Sequence, residues 1–256
     1  MCRLFASRSK APIHVDRLLL DAKASLFALS HEHRDGWGIG QYLGGKPVLE
    51  RGTKPAFEDP EFTRVARAVE STCTLAHIRR RSVGDLTVED NHPFQRGRFL
   101  FAHNGTVQRF GEIGPSLEQL IDPAVRAQLR GTTDSERCFS LFLTRLKTRL
   151  GKKSPALEDL AEALAQTVFA IRSYDPGPGK HHMLTFLVTD GEHLVGIRSG
   201  EKELWLSKDD SNLFLASEPL SQEDRWERVA DGEIVGISGD LSVRRFRVDD
   251  FTPEAF

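Results

Sequence analysis

The sequence predicts a layered α+β protein in which two β-sheets pack together and helices flank them. Strand-like segments and an early helix pattern lie within residues 2–104, two amphipathic helix patterns lie next to each other at 133–150 and 156–174, and further strand-like segments follow from 182 onward. Regular βαβ alternation and internal repeats are not visible, which argues against a parallel-sheet or solenoid architecture. We expect one domain spanning residues 1–256.

The first 70 residues predict a strand, a helix, a hairpin and a short second helix. Residues 2–8 alternate as a strand does, and residues 11–30 have apolar residues at helical spacing, with Pro12 near the start. Residues 36–43 and 46–52 are separated by Gly44-Gly45, which predicts a hairpin. Residues 59–70 predict a short helix with Asp59 as its cap and Pro60 in its first turn.

The middle of the chain predicts two buried strands and two helices. The strands are 72–79 and 98–104, joined by a long polar loop, and Thr133 with Glu136 matches a capping box that opens the first helix. Residues 114–131 and 174–180 resemble loop-like insertions. The final strand-like segments are HMLTFLVTD, HLVGIRS, ELWLS, NLFLAS, EIVGIS and LSVRRFRV.

Composition indicates a soluble globular protein. The chain has 256 residues, of which 39% are hydrophobic and 28% charged, and a formal net charge of -2. This balance provides no field that would recruit nucleic acid or an anionic membrane. No apolar run approaches the roughly 20 residues of a membrane span, and the first residues lack the apolar core of a secretory signal. We therefore expect a cytoplasmic protein.

The three cysteines differ in character. An odd number at wide spacing argues against a disulfide framework and against a zinc site. Cys73 lies in an apolar strand and Cys138 in an amphipathic helix, where each is best interpreted as a small buried hydrophobe. Cys2, directly after the initiator methionine, has no such packing explanation. It is the cysteine that we expect to be reactive.

Four polar clusters follow the predicted strands, at 33–40, 76–94, 102–107 and 131–136. Each taken alone is also compatible with ordinary turn residues. Together with Cys2 they suggest nucleophilic chemistry, because a thiol attacks a carbonyl only as the thiolate and needs a base. If Met1 is removed, the α-amine of Cys2 could be that base, and Asn104 beside Gly105 offers a pair of oxyanion donors.

Two charged residues could hold the ends of an amino-acid substrate. Arg79 could bind a carboxylate bidentately, and Asp134, in the first turn of a capped helix, could receive an ammonium group. The alternatives are plain: Arg79 is one of three adjacent arginines that could simply solvate a loop, and Asp134 could serve only the helix dipole.

The ordered set Cys2, AHIR, NHPF, AHNG and TDSE resembles the class II glutamine amidotransferases, which are N-terminal-nucleophile hydrolases. DGWGIG and LFLASEPL are similar to segments of the compact, stand-alone members, so the resemblance covers roughly residues 2–220. It implies a four-layer αββα sandwich. It also implies roles for individual residues: nucleophile and base Cys2; oxyanion donors Asn104 and Gly105; substrate contacts Arg79, Ser82, His92 and Asp134.

Some of these residues keep a second interpretation. Ser82 stands where the family commonly has a threonine that contacts the substrate, whereas His92 is either a pocket residue or a structural histidine. Trp37 is interpreted as pocket wall or core. Arg80 stands where the family often has an aromatic residue, and Val83 replaces a polar one, so the leaving group beyond the γ-glutamyl end stays open.

The resemblance implies hydrolysis of the γ-amide of glutamine or of a small γ-glutamyl amide through a thioester on Cys2. The ammonia could pass to a separate synthase subunit, or the protein could be a dedicated amidohydrolase similar to the one that removes glutamate from an ergothioneine precursor. A non-catalytic glutamine sensor is a further alternative. No cofactor or metal is implied, and His181-His182 is interpreted as a solvated loop pair.

Overall fold

A computed structural model of the chain describes residues 2–151, 153–221 and 226–254, which form two antiparallel sheets. The seven-stranded sheet has the order β11-β9-β10-β1-β4-β2-β3, and the six-stranded sheet has the order β13-β12-β8-β7-β6-β5. The strands are β1 Arg3–Ile13, β2 Trp37–Leu43, β3 Lys46–Gly52, β4 Ser71–Ile78, β5 Phe94–Arg96, β6 Phe99–Thr106, β7 Met183–Thr189, β8 Leu194–Ile197, β9 Trp205–Lys208, β10 Asn212–Ala216, β11 Trp226–Arg228, β12 Glu233–Ile237 and β13 Val243–Arg247.

Helices cover the outer face of each sheet. The helices are α1 Leu26–Leu29, α2 Pro60–Ala68, α3 Phe110–Gln119, α4 Pro123–Arg126, α5 Asp134–Leu150 and α6 Leu157–Arg172. Apolar residues of α3, α5 and α6 pack on the six-stranded sheet, and those of α1 and α2 pack on the seven-stranded sheet. A third cluster, which includes Leu4, Leu75, Leu100 and Leu187, lies between the sheets. The predicted αββα sandwich is confirmed.

Burial of apolar side chains in three layers stabilises this arrangement. Each large aliphatic or aromatic side chain that is fully buried contributes about 1.5–3 kcal/mol. Phe101, Phe139 and Phe186 illustrate the helix-facing layer: the ring centroids of Phe101 and Phe139 are 5.0 Å apart, and those of Phe101 and Phe186 are 5.2 Å apart.

In the part of the chain that the structure describes, no helix is long and apolar enough to cross a membrane.

The pairing of central strands brings the predicted site residues to one end of the sandwich. β1 lies between β10 and β4 and is antiparallel to both, with Arg3 opposite Ile78. Cys2, directly before β1, therefore lies beside Arg79 and Arg80, directly after β4. In the other sheet, β6 ends with Asn104, Gly105 and Thr106. Both sheets are antiparallel, so neighbouring strands need no long crossover connection. The start of β1, the end of β4 and the end of β6 lie together at this end of the sandwich.

Several local predictions are confirmed with their physical cause. The β2–β3 hairpin turns at Gly44 (φ 56°) and Gly45 (φ 75°), the positive angles that a two-residue turn of this kind requires. Asp59 caps α2 by accepting a hydrogen bond from the Glu61 amide. The Thr133 hydroxyl oxygen accepts from the Glu136 amide at 3.2 Å and so caps α5.

The predicted capping box at α5 is only half formed. The Glu136 carboxylate does not return to the start of its own helix; its oxygens accept from the backbone amides of Arg130 and Gly131 at 3.0 and 2.8 Å. Glu136 also pairs with Arg96 at 2.6 Å. The carboxylate therefore fastens the preceding loop to α5 rather than closing the cap.

Three predictions about secondary structure were wrong. The polar loop expected between the two buried strands contains the short strand β5, Phe94–Arg96. The helix expected over 11–30 is instead the end of β1, which runs to Ile13, a π-helical turn at Arg17–Asp21 and the short helix α1, with Ser25 as its cap. The segment 114–131, expected to be a loop, contains most of α3 and all of α4. Pro115 lies inside α3, and the helix forms nonetheless because Ile113 and Leu117 pack into the core beside α5.

Candidate active site

A cleft at the shared end of the two sheets brings most of the predicted site residues together. Its walls come from the start of β1, the segment after β4, the end of β6 and the first turn of α5. The lining residues are Cys2, Arg79, Arg80, Arg81, Ser82, Val83, His92, His103, Gly105, Thr133, Asp134 and Ser135. Of the seven predicted site residues, Asn104 is the one that does not line this cleft.

Cys2 is half-buried, and its thiol contacts the backbone of Arg80. The Arg80 amide N–H donates to Sγ at 3.4 Å, and Sγ lies 3.5 Å from the Arg80 carbonyl oxygen. Burial raises the pKa of the Cys2 thiol, and the Arg80 amide and the charge of Arg79 only partly oppose that shift. The thiol is therefore mostly protonated near neutral pH and needs a base to become a nucleophile.

Arg79 is almost completely buried, at 2% exposure, and loop oxygens hold its guanidinium. Nη1 donates to the Asp85 carbonyl at 2.6 Å and to Asn91 Oδ1 at 3.2 Å, while Nη2 donates to the Val83 carbonyl at 2.9 Å. Burial lowers the pKa of Arg79, and the Asp90 carboxylate opposes this shift. The side chain is a fixed cation in the cleft wall and not a solvated loop residue.

The segments DGWG and DNHP form the support behind Arg79. Asp35 accepts from the Arg81 amide at 2.7 Å, and Asn91 donates through Nδ2 to the Gly52 carbonyl at 2.7 Å. Arg51 donates to the Asn91 carbonyl at 2.9 Å. Asn91 thus joins β3 to Arg79 and fixes the guanidinium relative to the sheet.

Asp134 lies at the first position of α5 and is 3% exposed. Its Oδ2 accepts from the Val107 amide at 2.8 Å, and its Oδ1 lies 3.1 Å from the Ser135 hydroxyl. Ser135 Oγ is also 2.9 Å from His103 Nδ1. His103 Nε2 lies 2.9 Å from the Met183 carbonyl, which can only accept, so Nε2 carries the proton of this imidazole.

Asn104 and Gly105 lie near the end of β6, and of the two only Gly105 lines the cleft. Leu100 and Ala102 lie between the sheets, so the alternation of a strand directs the Asn104 side chain into the same layer. Asn104 is 2% exposed, and its Oδ1 accepts no hydrogen bond from the described residues. A Cβ on Gly105 would lie 1.8 Å from the Met183 carbonyl oxygen, so this position admits only glycine.

The remaining predicted residues have distinct surroundings. Ser82 is exposed at the cleft mouth, with its hydroxyl 3.4 Å from that of Thr106. His92 is buried; its ring packs 4.3 Å from that of His77 and 4.6 Å from that of Phe94. Trp37 is core: it is 2% exposed and donates from Nε1 to Asp59 at 2.9 Å.

Sequence reasoning missed several residues around the cleft. Thr133, Ser135 and His103 line it, and His103 is itself the histidine of the AHNG motif. His33 and His77 are buried, and neither ring has a hydrogen-bond partner among the described residues. Both lie in segments that the sequence singles out, His77 in AHIR and His33 at the start of the polar cluster 33–40, but neither segment indicates that its histidine is buried.

The interpretation of His181-His182 as a solvated loop pair was wrong for one of the two. His182 is 7% exposed; its Nδ1 accepts from the Gln108 amide at 3.1 Å, and its Nε2 donates to the Tyr174 carbonyl at 3.0 Å. It fastens the loop before β7 to the segment after β6. Within residues 2–151, 153–221 and 226–254, no group of three or more histidine, cysteine, aspartate or glutamate side chains could hold a metal ion.

Two antiparallel sheets packed face to face between helical layers are the fold of the N-terminal-nucleophile type of amidotransferase domain. Comparison with known families agrees, since residues 1–208 match the class II glutamine amidotransferases. The chain belongs to this family and is an enzyme of that class.

Individual relatives match over most of their length. A γ-glutamyl-hercynylcysteine sulfoxide hydrolase from Mycobacterium tuberculosis is 29% identical over 239 residues, which is 89% of each chain. A probable glutamine amidotransferase from Saccharomyces cerevisiae is 28% identical and covers 99% of this chain and 86% of its own. A solved glutamine aminotransferase class-II domain protein from Silicibacter pomeroyi has the same fold, with a TM-score of 0.70, 24% identity and coverage of 96% of this chain and 99% of its own.

Proposed function

We propose that residues 1–256 form one amidotransferase-type domain that hydrolyses the γ-amide of glutamine or of a small γ-glutamyl amide, with Cys2 as its nucleophile. The observation that carries the proposal is the convergence of Cys2, Arg79, Gly105 and Asp134 on one cleft. Arg79 and Asp134 are a buried cation and a buried carboxylate, which match the α-carboxylate and α-ammonium of a glutamyl group.

The proposed reaction begins when Met1 is removed and Cys2 carries the free α-amine; Met1 itself lies outside the described residues. The amine takes the thiol proton, and Sγ attacks the γ-carbonyl carbon. The Asn104 side-chain amide and the Gly105 N–H stabilise the oxyanion. The C–N bond then breaks, and the protonated amine returns its proton to the leaving nitrogen, which departs as ammonia or an amine.

The second half of the reaction restores the enzyme. The free amine removes a proton from a water molecule, which attacks the γ-glutamyl thioester. The C–S bond then breaks, and the protonated amine returns its proton to Sγ, which gives glutamate, the Cys2 thiol and the free amine. The first half needs the base because burial raises the pKa of the Cys2 thiol and keeps it protonated. The second half needs it because water must lose a proton as it attacks.

Two versions of the function differ in the leaving group. The Mycobacterium tuberculosis relative is named as a hydrolase of a γ-glutamyl compound, and its 29% identity over 89% of each chain supports a dedicated amidohydrolase with a larger leaving group. The exposed residues Arg80, Arg81 and Ser82 at the cleft mouth would contact that group. In the other version the product ammonia passes to a separate synthase subunit. Cytoplasmic location, as expected from the sequence, suits either version.

The test is to trap the intermediate. The mature protein is mixed with glutamine or with a γ-glutamyl amide of larger leaving group, quenched in acid and analysed by peptide mass spectrometry. We expect a γ-glutamyl adduct on Cys2. Ammonia or amine release from the same panel ranks the leaving groups. Turnover without any adduct on Cys2, under conditions that preserve thioesters, would refute the mechanism.

Replacement of Asn104 with alanine should lower kcat by on the order of 10²–10³-fold while KM changes little, because an oxyanion donor acts mainly in the transition state. Asn104→Asp is the matched variant, since it keeps the size of the side chain but replaces the donor. Steady-state kinetics with glutamine measure both. Equal losses in kcat and in substrate affinity would show that Asn104 shapes the cleft instead.

A further inference from the structure

A second cleft lies on the other side of the loop that holds Arg79, and it shares no lining residue with the Cys2 cleft. It encloses about 550 Å³ between β3, β5 and the segment after α4, which is within the usual range for small-molecule sites. We name it the arginine cleft after Arg51, Arg96 and Arg130. Its full lining is Leu49, Arg51, Glu89, Phe94, Gln95, Arg96, Gly97, Ala127, Gln128, Leu129, Arg130 and Glu136.

The three arginines are not equally engaged. Arg96 is neutralised by Glu136 at 2.6 Å, and the Glu136 oxygens also accept from two backbone amides, so that carboxylate is fully used. Arg51 is half-buried and donates one hydrogen bond, to the Asn91 carbonyl at 2.9 Å. For Arg130, no side-chain hydrogen bond or ion pair is found within the described residues.

Two guanidinium groups therefore face this cleft with unused N–H donors. Burial lowers the pKa of Arg51; the carboxylates of Glu89 and Glu136 oppose that shift, and the nearby charges of Arg96 and Arg130 reinforce it. With the Arg96–Glu136 pair cancelled, the remaining charges are Arg51 and Arg130 against Glu89, which is exposed at the rim. The cleft carries a net positive charge.

Guanidinium groups bind planar or tetrahedral oxyanions through paired hydrogen bonds. We propose that the arginine cleft binds a small anion that carries carboxylate or phosphate groups, at a site separate from Cys2. Arg51 and Arg130 provide the charged contacts, and the side-chain amide of Gln95 is a neutral donor beside them. Glu89 is the opposing charge that limits affinity.

The test is calorimetric titration of the full chain at low ionic strength, with pyrophosphate and citrate as separate probes. We expect saturable binding of one equivalent, and the tighter probe identifies phosphate or carboxylate as the preferred group. Arg130→Gln and Arg51→Gln should each weaken binding tenfold or more, since each removes a charged hydrogen-bond donor. Glu89→Gln should strengthen it several-fold.

Arg67→Gln is the matched control, because Arg67 is an exposed arginine on α2 and its loss changes the net charge equally. Binding that is not saturable, or that weakens as much in Arg67→Gln as in Arg130→Gln, would overturn the proposal. Arg130 is exposed, so its variant should fold even if that of Arg51 does not. The titration is repeated with Cys2→Ala. Binding should be unchanged in this variant, because the arginine cleft does not depend on the proposed hydrolysis.

Discussion

Cys2→Ala is expected to reduce γ-amide hydrolysis by on the order of 10⁴-fold or more, because removal of a covalent nucleophile removes the whole thioester route. The measurement is ammonia release from glutamine by the purified mature protein. Cys138→Ala is the matched control: that thiol is 1% exposed in the helix layer, and burial raises its pKa far above the ordinary value. Its loss should leave kcat unchanged.

A third variant, beside Cys2→Ala and Cys138→Ala, tests the role of the Cys2 α-amine separately from that of the Cys2 thiol. A chain with a non-cleavable N-terminal extension keeps Cys2 but has no free amine there, and it should lose about 10²–10⁴-fold, the usual contribution of a general base. Full activity in the extended chain would exclude the amine as the base. Activity that survives Cys2→Ala would exclude the nucleophile itself.

The elements predicted well are those whose signals are local. Asp59 and Thr133 act as caps within three residues of the amides that they satisfy, and Gly44-Gly45 determines a two-residue turn by its own backbone angles. Such signals do not depend on the rest of the chain. The layered α+β class was predicted from the order of the strands and helices along the chain.

The elements predicted poorly are those in which packing outweighs local preference. Pro115 and the glycines around it argue against a helix, yet α3 forms because Ile113 and Leu117 are buried beside α5. Conversely, the apolar spacing over 11–30 fits one helix, but β1 continues to Ile13 because its backbone pairs with β4 as far as Ser71. Neither partner lies nearby in the sequence.

The candidate site likewise has residues that the sequence predicted and supporting residues that it did not. Cys2, Arg79, Gly105 and Asp134 were predicted from motifs, and the strand pairing brings them to one cleft. Their supports are distant in sequence: Asn91 holds Arg79 and is itself held by Arg51, and Met183 both accepts from His103 and excludes a side chain at position 105. Such contacts depend on the pairing of whole strands and have no local pattern.

Four buried histidines around the cleft make stability depend on pH. His33, His77, His92 and His103 are each at most 3% exposed. Burial lowers the pKa of all four, and that of His33 falls to about 3. The unfolded chain therefore binds protons below about pH 6.5 that the folded chain does not. Stability is complete above that pH and is lost as the pH falls.

We expect the free energy of unfolding to fall steeply below pH 6.5, by about 1.4 kcal/mol per pH unit for each histidine that stays neutral when folded. His33, whose pKa falls to about 3, contributes this slope across the whole range down to pH 5, and His77, His92 and His103 add to it in the same direction. Urea unfolding between pH 7.5 and 5 measures the slope. His33→Gln should lower this slope by the contribution of one histidine. His31→Gln changes an exposed neighbour and should leave the slope unchanged. A slope that is flat between pH 7 and 5 would show that these histidines accept protons without unfolding.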